Sequence, residues 1–358
     1  MNNKLIVFGI TMAAGGIENL MHYFLTDCVE KKKFSEIIIV TSYRAIPFEE
    51  EYKHLGIDVI HICSWKKGRA YKKDILSIIS DLDPNDLIYV NLSTYCNWRL
   101  LSMLKKKKCK IIIHGHNAHV ANIVKKIIHL IGRNKYKNIG YKIAVSEECS
   151  KFMFGGAHDA IIGNGIDSNK YFFNIKNREE SRAELSITNK KIVIGCVGRI
   201  SKEKNQLYLV KLSKKYKDIK FLFLGDFMNE KYKKSVLASA STNCVFIGSK
   251  NDVERYLSGM DALVIPSKRE AFPLAAIEAL TNGLPVFFSE ELIGKIPSSI
   301  NSNKNCFFLE GNSFNLQVIE LSHANRDSNQ ILKKYEYDIA VFLDKLHNFL
   351  DNEVYYGN

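Results

Sequence analysis

Glu270 and Glu278 stand eight residues apart in the stretch Pro266-Ser267-Lys268-Arg269-Glu270-Ala271-Phe272-Pro273-Leu274-Ala275-Ala276-Ile277-Glu278. Glu270 falls in a loop after an apolar run, and Pro273 suits an early helical position, where its missing N–H is not needed. Glu278 then lies about a turn and a half into the helix, among Ala275, Ala276 and Ala279. A carboxylate on such a small, apolar face needs hydrogen-bond donors, and a pair of sugar or ribose hydroxyls would supply them. The amides of 271–274, at Ala271, Phe272, Pro273 and Leu274, are expected to serve phosphate oxygens.

A second group carries cations. Gly198-Arg199-Ile200-Ser201-Lys202-Glu203-Lys204-Asn205 also follows an apolar run and opens a helix. Arg199 and Lys204 flank that helix start, which makes a cradle for a pyrophosphate or, more plainly, a solvated basic loop. Gly15-Gly16-Ile17-Glu18 follows the first apolar run. Gly16 either lets the backbone approach a ligand or simply makes a tight turn. In Ile111-Ile112-Ile113-His114-Gly115-His116-Asn117, His114 sits nearer the strand and packs, whereas His116 is at the strand exit. Asp81-Leu82-Asp83 has a metal-binding look, but beside Pro84 it reads as turn chemistry. The phosphate-binding G-x-x-x-x-G-K-[ST], the full G-x-G-x-x-G and zinc-like spacings are all missing from the sequence.

The elements that must position these groups alternate. Short apolar runs at 5–10, 37–41, 59–62, 87–91, 110–113 and 142–145 predict strands, with helices near 17–31, 70–81, 97–106 and 119–131. The rhythm restarts with strands at 191–197, 221–224, 245–247, 262–265 and 285–288, and helices near 204–216, 229–239, 251–258 and 273–282. Residues 331–350 show one apolar face and predict a last helix. This is an α/β pattern of two doubly wound parallel domains. The boundary is expected after Gly163-Asn164-Gly165, giving domains 1–165 and 166–330 and a terminal helix in 331–358. Ligands of such sheets gather at the carboxyl ends of the strands, where all the groups above fall.

Of 358 residues, 51 are Lys or Arg and 38 Asp or Glu, a net charge of +13. Residues 1–165 hold 24 of the cations and 15 of the acids, so that half alone carries +9. Either an anionic partner meets it, a phospholipid surface, a pyrophosphate carrier or nucleic acid, or the excess reflects a generally lysine-rich proteome. The 8 cysteines are scattered and suit a reducing cytosol. No run approaches the roughly 20 apolar residues of a spanning helix, so a soluble or peripheral protein is expected.

The ordered set resembles glycosyltransferase family 4 with a GT-B fold: Gly15-Gly16, the His-Asn strand exit, Asn164-Gly165-Ile166-Asp167, the Gly-Arg…Lys loop and the Glu270…Glu278 spacing. The nearest likeness is to bacterial exopolysaccharide and capsule transferases. The resemblance implies two Rossmann-like domains facing a central cleft, the first binding the acceptor and the second the nucleotide sugar. It implies retaining transfer of a hexose from a nucleotide-diphosphate sugar, a UDP-sugar, to a saccharide acceptor that is lipid-pyrophosphate-linked. Glu270 would contact donor sugar hydroxyls, and Glu278 the ribose diol. Arg199 and Lys204 would hold the diphosphate, with Gly16 near it, His116 near the transferring sugar, and Ser249 and Lys250 near the base. Acceptor contacts would come from loops 43–48, 64–71 and 93–99. No metal and no cofactor are implied, since cations and helix ends take the diphosphate charge. Two positions depart from the family pattern: Ala271 and Pro273 stand where glycines are usual. The terminal helix would pack toward the first domain, and the enzyme would be cytoplasmic with no nucleic acid as partner. From the residues themselves, Val120 to Lys137 sets Ile123, Val124, Ile127, Ile128, Leu130 and Ile131 among Lys125, Lys126, Arg133, Lys135 and Lys137. That is a basic amphipathic helix, which either lies on an anionic membrane surface, peripheral on the inner face of the plasma membrane, or packs its apolar face under the sheet. Two other readings stay open. One is a nucleotide-sugar 2-epimerase of the same architecture, which needs acid–base carboxylates in the first domain. The other is a non-catalytic sugar- or nucleic-acid-binding protein, against which the lack of aromatic-rich RNA-binding signatures counts.

Overall fold

The structure, a computed structural model, describes residues 3–12, 15–96, 98–120, 122–309, 313–324, 326 and 337–355. The chain divides into two units, Met1–Gly165 with Ile339–Asn358, and Ile166–Asp338. Each is an α/β unit built on one parallel sheet.

The first sheet comprises β1 (Lys4–Phe8), β2 (Glu36–Thr41), β3 (Asp58–His61), β4 (Leu87–Leu92), β5 (Lys110–Gly115), β6 (Tyr141–Ala144) and β7 (Ala160–Ile161). Their order across the sheet is β3-β2-β1-β4-β5-β6-β7. Leu5 of β1 stands beside Ile37 of β2 on one side and Leu87 of β4 on the other. These central strands are continuous apolar runs because helices cover both faces of a parallel sheet. Leu5, Ile6, Val7, Ile39, Leu87 and Ile88 are all fully buried.

The second sheet comprises β8 (Val193–Val197), β9 (Lys220–Leu224), β10 (Cys244–Phe246), β11 (Ala262–Ile265), β12 (Val286–Phe288) and β13 (Cys306–Phe308). The order is β10-β9-β8-β11-β12-β13. Its two faces bury separate apolar clusters, one around Leu222, Leu263 and Ile277, the other around Phe221, Phe223 and Val264.

The charged passage after Gly165 is ordered as two helices, Ser168–Tyr171 and Ile175–Glu184. The second packs on the helix Val253–Gly259 through buried cations rather than apolar side chains. Asp261, fully buried, accepts from Arg178 at 2.7 Å, from Arg182 at 2.6 Å and from the Val193 amide at 2.8 Å. The last helix, Ile339–Phe349, belongs to the first unit and lies against Gly16–Glu30 there. Lys33 pairs with Asp351 at 2.8 Å, and Lys110 donates to the Val354 carbonyl. The sequence pattern starts that helix at 331, but 331–336 lie outside the described residues. No described helix is long and apolar enough to cross a membrane.

Removing Asp261 would leave two buried guanidinium groups without their anion, which typically costs about 3–5 kcal/mol. Asp261→Ala is therefore expected to lower the urea midpoint of unfolding markedly. An unchanged midpoint would show that the pairs hold nothing together.

Candidate active site

In the second unit the loop leaving β8 turns at Gly198, whose φ of 130° is left-handed territory. It packs against the loop leaving β9 so closely that a Cβ on Gly225 would lie 2.3 Å from the Gly198 carbonyl oxygen. The buried Gln206 staples this turn from both sides. Its Oε1 accepts from the Ser201 amide at 3.1 Å, and its Nε2 donates to the Arg199 carbonyl at 3.0 Å. Arg199 is thereby held with its side chain exposed, and its guanidinium has no hydrogen-bond partner among the described residues.

Two ties join this loop to the one leaving β11. Asn205 Nδ2 donates to the Pro266 carbonyl at 3.1 Å, and the Lys268 amide to the Glu203 carbonyl at 3.1 Å. Lys204 Nζ meets both oxygens of Glu270, at 2.8 and 2.9 Å. The Glu270 side chain is only 8% exposed and that of Lys204 36%, so the anion sits inside and the cation faces out.

The helix Leu274–Thr281 begins at Pro273 without a side-chain cap. Of the amides expected to serve phosphate, Pro273 has none, and that of Leu274 donates to the Phe272 carbonyl at 3.0 Å. The loop therefore offers fewer free donors than its sequence suggests. Glu278 lies one further turn along, part of its surface open but its carboxyl deep among protein atoms. Burial pushes that carboxyl up from 4.5 to about 7, against a hydrogen bond from Tyr171 and the charge of Lys170, with Glu254 adding to the rise. After β10, Gly248 turns with a φ of 72° and the Ser249 amide donates to Asp226 Oδ1 at 3.0 Å. The Lys250 ammonium lies 3.5 Å from Glu184 and over the Tyr256 ring.

The first unit gathers its own polar groups at its strand exits. His116, just past β5, is buried, and its Nε2 lies 2.9 Å from Asn91 Oδ1. Asn91 Nδ2 donates to the Phe8 carbonyl at 3.3 Å. That assigns Oδ1 as the acceptor, so His116 carries its proton on Nε2 and presents Nδ1 as a bare acceptor. Nδ1 is buried without a partner among the described residues. Burial lowers His116 to about 3, so the ring is neutral at physiological pH. His114 packs beside it and meets the Tyr89 hydroxyl at 2.7 Å. Gly16 is exposed at the start of Gly16–Glu30, behind the uncapped Gly15. Asp83 Oδ1 accepts from the Asn85 amide at 3.0 Å, closing a turn. Among the described residues no group of three or more His, Cys, Asp or Glu side chains could hold a metal ion.

Superposition on known proteins decides the architecture. Anabaena Alr3699/HepE, solved with UDP and glucose, matches with a TM-score of 0.80 at 16% identity, over 98% of this chain and 100% of that one. The fold is GT-B. Within it, residues 177–338 match the family model described as Glycosyl transferases group 1. An Escherichia coli UDP-Gal:alpha-D-GlcNAc-diphosphoundecaprenol alpha-1,3-galactosyltransferase is 30% identical over 64% of this chain and 56% of its own length. The Staphylococcus aureus capsular polysaccharide biosynthesis glycosyltransferase CapM is 28% identical over 50% of this chain and 47% of its own. The matched stretches thus span about half the length of these two relatives.

In this GT-B chain the second unit brings Lys204 and Glu270 together across the neighbouring exits of β8 and β11, with Arg199 exposed on the same loop as Lys204. Several supporting residues carry no motif. Gln206 acts by hydrogen bonds that only the closed loop reveals. Tyr171 comes from a four-residue helix 107 positions before Glu278. Glu18 is the exception with a signal: an acid in the first helical turn. It reaches back to accept from the Thr11 amide at 3.1 Å and hydroxyl at 2.6 Å, fixing the loop after β1.

The raised Glu278 carboxyl has a consequence for stability. A native pKa above the unfolded 4.5 favours the fold fully below that value, and the contribution is lost as pH rises through about 7. Glu278→Gln cannot ionise and keeps the Tyr171 contact. Its advantage over the parent should be near zero around pH 4 and grow to on the order of 3 kcal/mol around pH 8. Thermal melts across that range read the difference, and parallel melting curves would refute the buried-carboxyl reading.

Proposed function

We propose that the chain is a retaining glycosyltransferase of family 4. It moves a hexose from a UDP-sugar to a saccharide on a lipid pyrophosphate, in the cytoplasm, during polysaccharide synthesis. The observation that carries this reading is the partly buried Lys204–Glu270 pair at the strand exits of the second unit, with the exposed Arg199 on the same loop as Lys204. A nucleotide-diphosphate sugar supplies the complement of both charges. Its diphosphate takes the two cations, and its sugar hydroxyls donate to the carboxylate that Lys204 then leaves. Glu278 receives the ribose diol, and the segment at Ser249 and Lys250 the base. The group 1 match over the second unit supports transferase activity. The UDP complex of the Anabaena protein supports the donor, and the name of the Escherichia coli relative supports a lipid-linked acceptor.

Rupture of the anomeric C–O bond leaves growing negative charge on the diphosphate. Arg199 and Lys204 face that charge from fixed loops, so they act on rate more than on binding. No divalent metal is required where two cations do this work. Glu270, released by Lys204 when the donor binds, is assigned to hydroxyl binding, not to nucleophilic attack. The diphosphate oxygen, on the acceptor's side of the donor, helps remove the acceptor proton. His116 in the first unit offers a neutral acceptor atom at the exit of β5.

Arg199→Ala and Lys204→Ala should each lower kcat by about 10²–10³, with a smaller change in KM. Turnover should persist in excess EDTA. Glu270→Ala should lower turnover by about tenfold to a hundredfold, yet bind UDP as tightly as the parent or tighter, because Lys204 is released. Calorimetry with UDP alongside donor-turnover assays reads both halves. Wild-type turnover in folded Glu270→Ala, or effects of Arg199→Ala confined to KM, would overturn the assignment.

A further inference from the structure

The helix Ile123–Lys135 turns its apolar side outward. Ile123 is 68% exposed, Val124 58%, Ile127 53% and Ile131 54%, whereas the residues it buries are His129 and Gly132. At 3.6 residues per turn, Leu130, Ile123, Ile127, Ile131 and Val124 cover an arc of roughly 120°, with the uncharged Asn134 inside it. His129 and Gly132 lie opposite. Gly132 is pressed so close to the Tyr95 carbonyl that a Cβ there would lie 2.6 Å from its oxygen, which fixes which side of the helix faces in. His129 is locked on the same side by the Tyr95 amide at 3.2 Å and the Phe152 carbonyl at 3.1 Å. The outward apolar arc is therefore not a helix waiting to rotate into the core.

Charge decides what can cover it. Lys126 and Lys135 flank the arc on either side by the same helical arithmetic, and both are exposed. From Asp86 to Glu147 the intervening chain carries 12 Lys or Arg and not one acid. Elsewhere in this unit Arg69, Lys72 and Lys73 line an open hollow of about 530 Å³. None of these three forms an ion pair among the described residues. A second copy of the chain would bring like charges face to face, and an apolar protein groove would leave the flanking lysines without partners. An anionic bilayer satisfies both parts, taking the aliphatic arc below its headgroups while the lysines reach the phosphates.

We propose that the helix Ile123–Lys135 is the docking surface of the first unit for an anionic lipid bilayer. The five aliphatic side chains enter the headgroup boundary, and Lys126 and Lys135 anchor its edges. The docking does not depend on the reaction assigned above and is measured without it.

The full-length chain is sedimented with phosphatidylglycerol–phosphatidylcholine vesicles and with phosphatidylcholine alone, at low and high salt. Binding is expected to the anionic vesicles, weakened by salt. Ile127→Glu with Ile131→Glu should abolish it. Lys126→Gln with Lys135→Gln should weaken it about tenfold or more. Because all four positions are on the surface, the melting temperature should stay as in the parent. Lack of vesicle binding would overturn the proposal. So would binding indifferent to lipid charge, or a concentration-dependent dimer that the same glutamate pair abolishes in place of lipid binding.

Discussion

A sheet in which every strand runs the same way collects all its strand exits along one edge, and that constraint organises each unit. From β1 the chain builds outward to β2 and β3, then returns to the other side of β1 with β4 and builds outward again. Loops leaving β1 and β4 must therefore diverge, and the space between them is open to a ligand. The same reversal occurs between β8 and β11. Gly16 follows β1 and Asn91 ends within β4. Arg199 and Lys204 follow β8, and Glu270 follows β11. Polar chemistry appears at these places because strand interiors admit none, and because helices starting there present unpaired amides.

Two sets of ion pairs in the second unit show opposite uses of the same charges. Asp261 is fully enclosed, its oxygens divided between Arg178, Arg182 and the Val193 amide. Nothing from outside can reach it, and it ties the helix Ile175–Glu184 to the sheet. Lys204 keeps about a third of its side chain open while Glu270 is sheltered. That pair is compensated from within, yet a soluble anion can still approach the cation. Burial thus separates a pair that holds the fold from a pair that can be exchanged.

Much of this was legible because α/β rhythm and strand exits are local features. The apolar runs at 37–41, 110–113 and 221–224 read directly as β2, β5 and β9, and Glu270, Arg199 and Lys204 could be located by what precedes them. The strand Cys306–Phe308, a short apolar run after the polar Asn301-Ser302-Asn303-Lys304-Asn305, was not read from the sequence. The helix Ile175–Glu184 was hidden because it is buried by Arg178 and Arg182, which look like solvent residues until Asp261 is found 79 positions beyond Arg182. Lysine-rich helix Ile123–Lys135 posed the reverse problem. Its apolar stripe is plain in sequence, but only Gly132 against Tyr95 shows that the stripe faces out. Likewise Pro273 and the Phe272–Leu274 turn reduce the donors of a loop whose sequence suggests a full set.

The return of the chain to its first unit sets an order of events during synthesis. Phe342, Leu346, Phe349, Leu350 and Val354 belong to the same buried cluster as Leu5, Val7 and Phe24. They leave the ribosome only after all of Ile166–Asp338 has emerged. The amino-terminal unit, although made first, must wait with that side of its helix Gly16–Glu30 uncovered. The second unit has its whole sequence earlier, so the usual sequence of nascent-chain folding is inverted here.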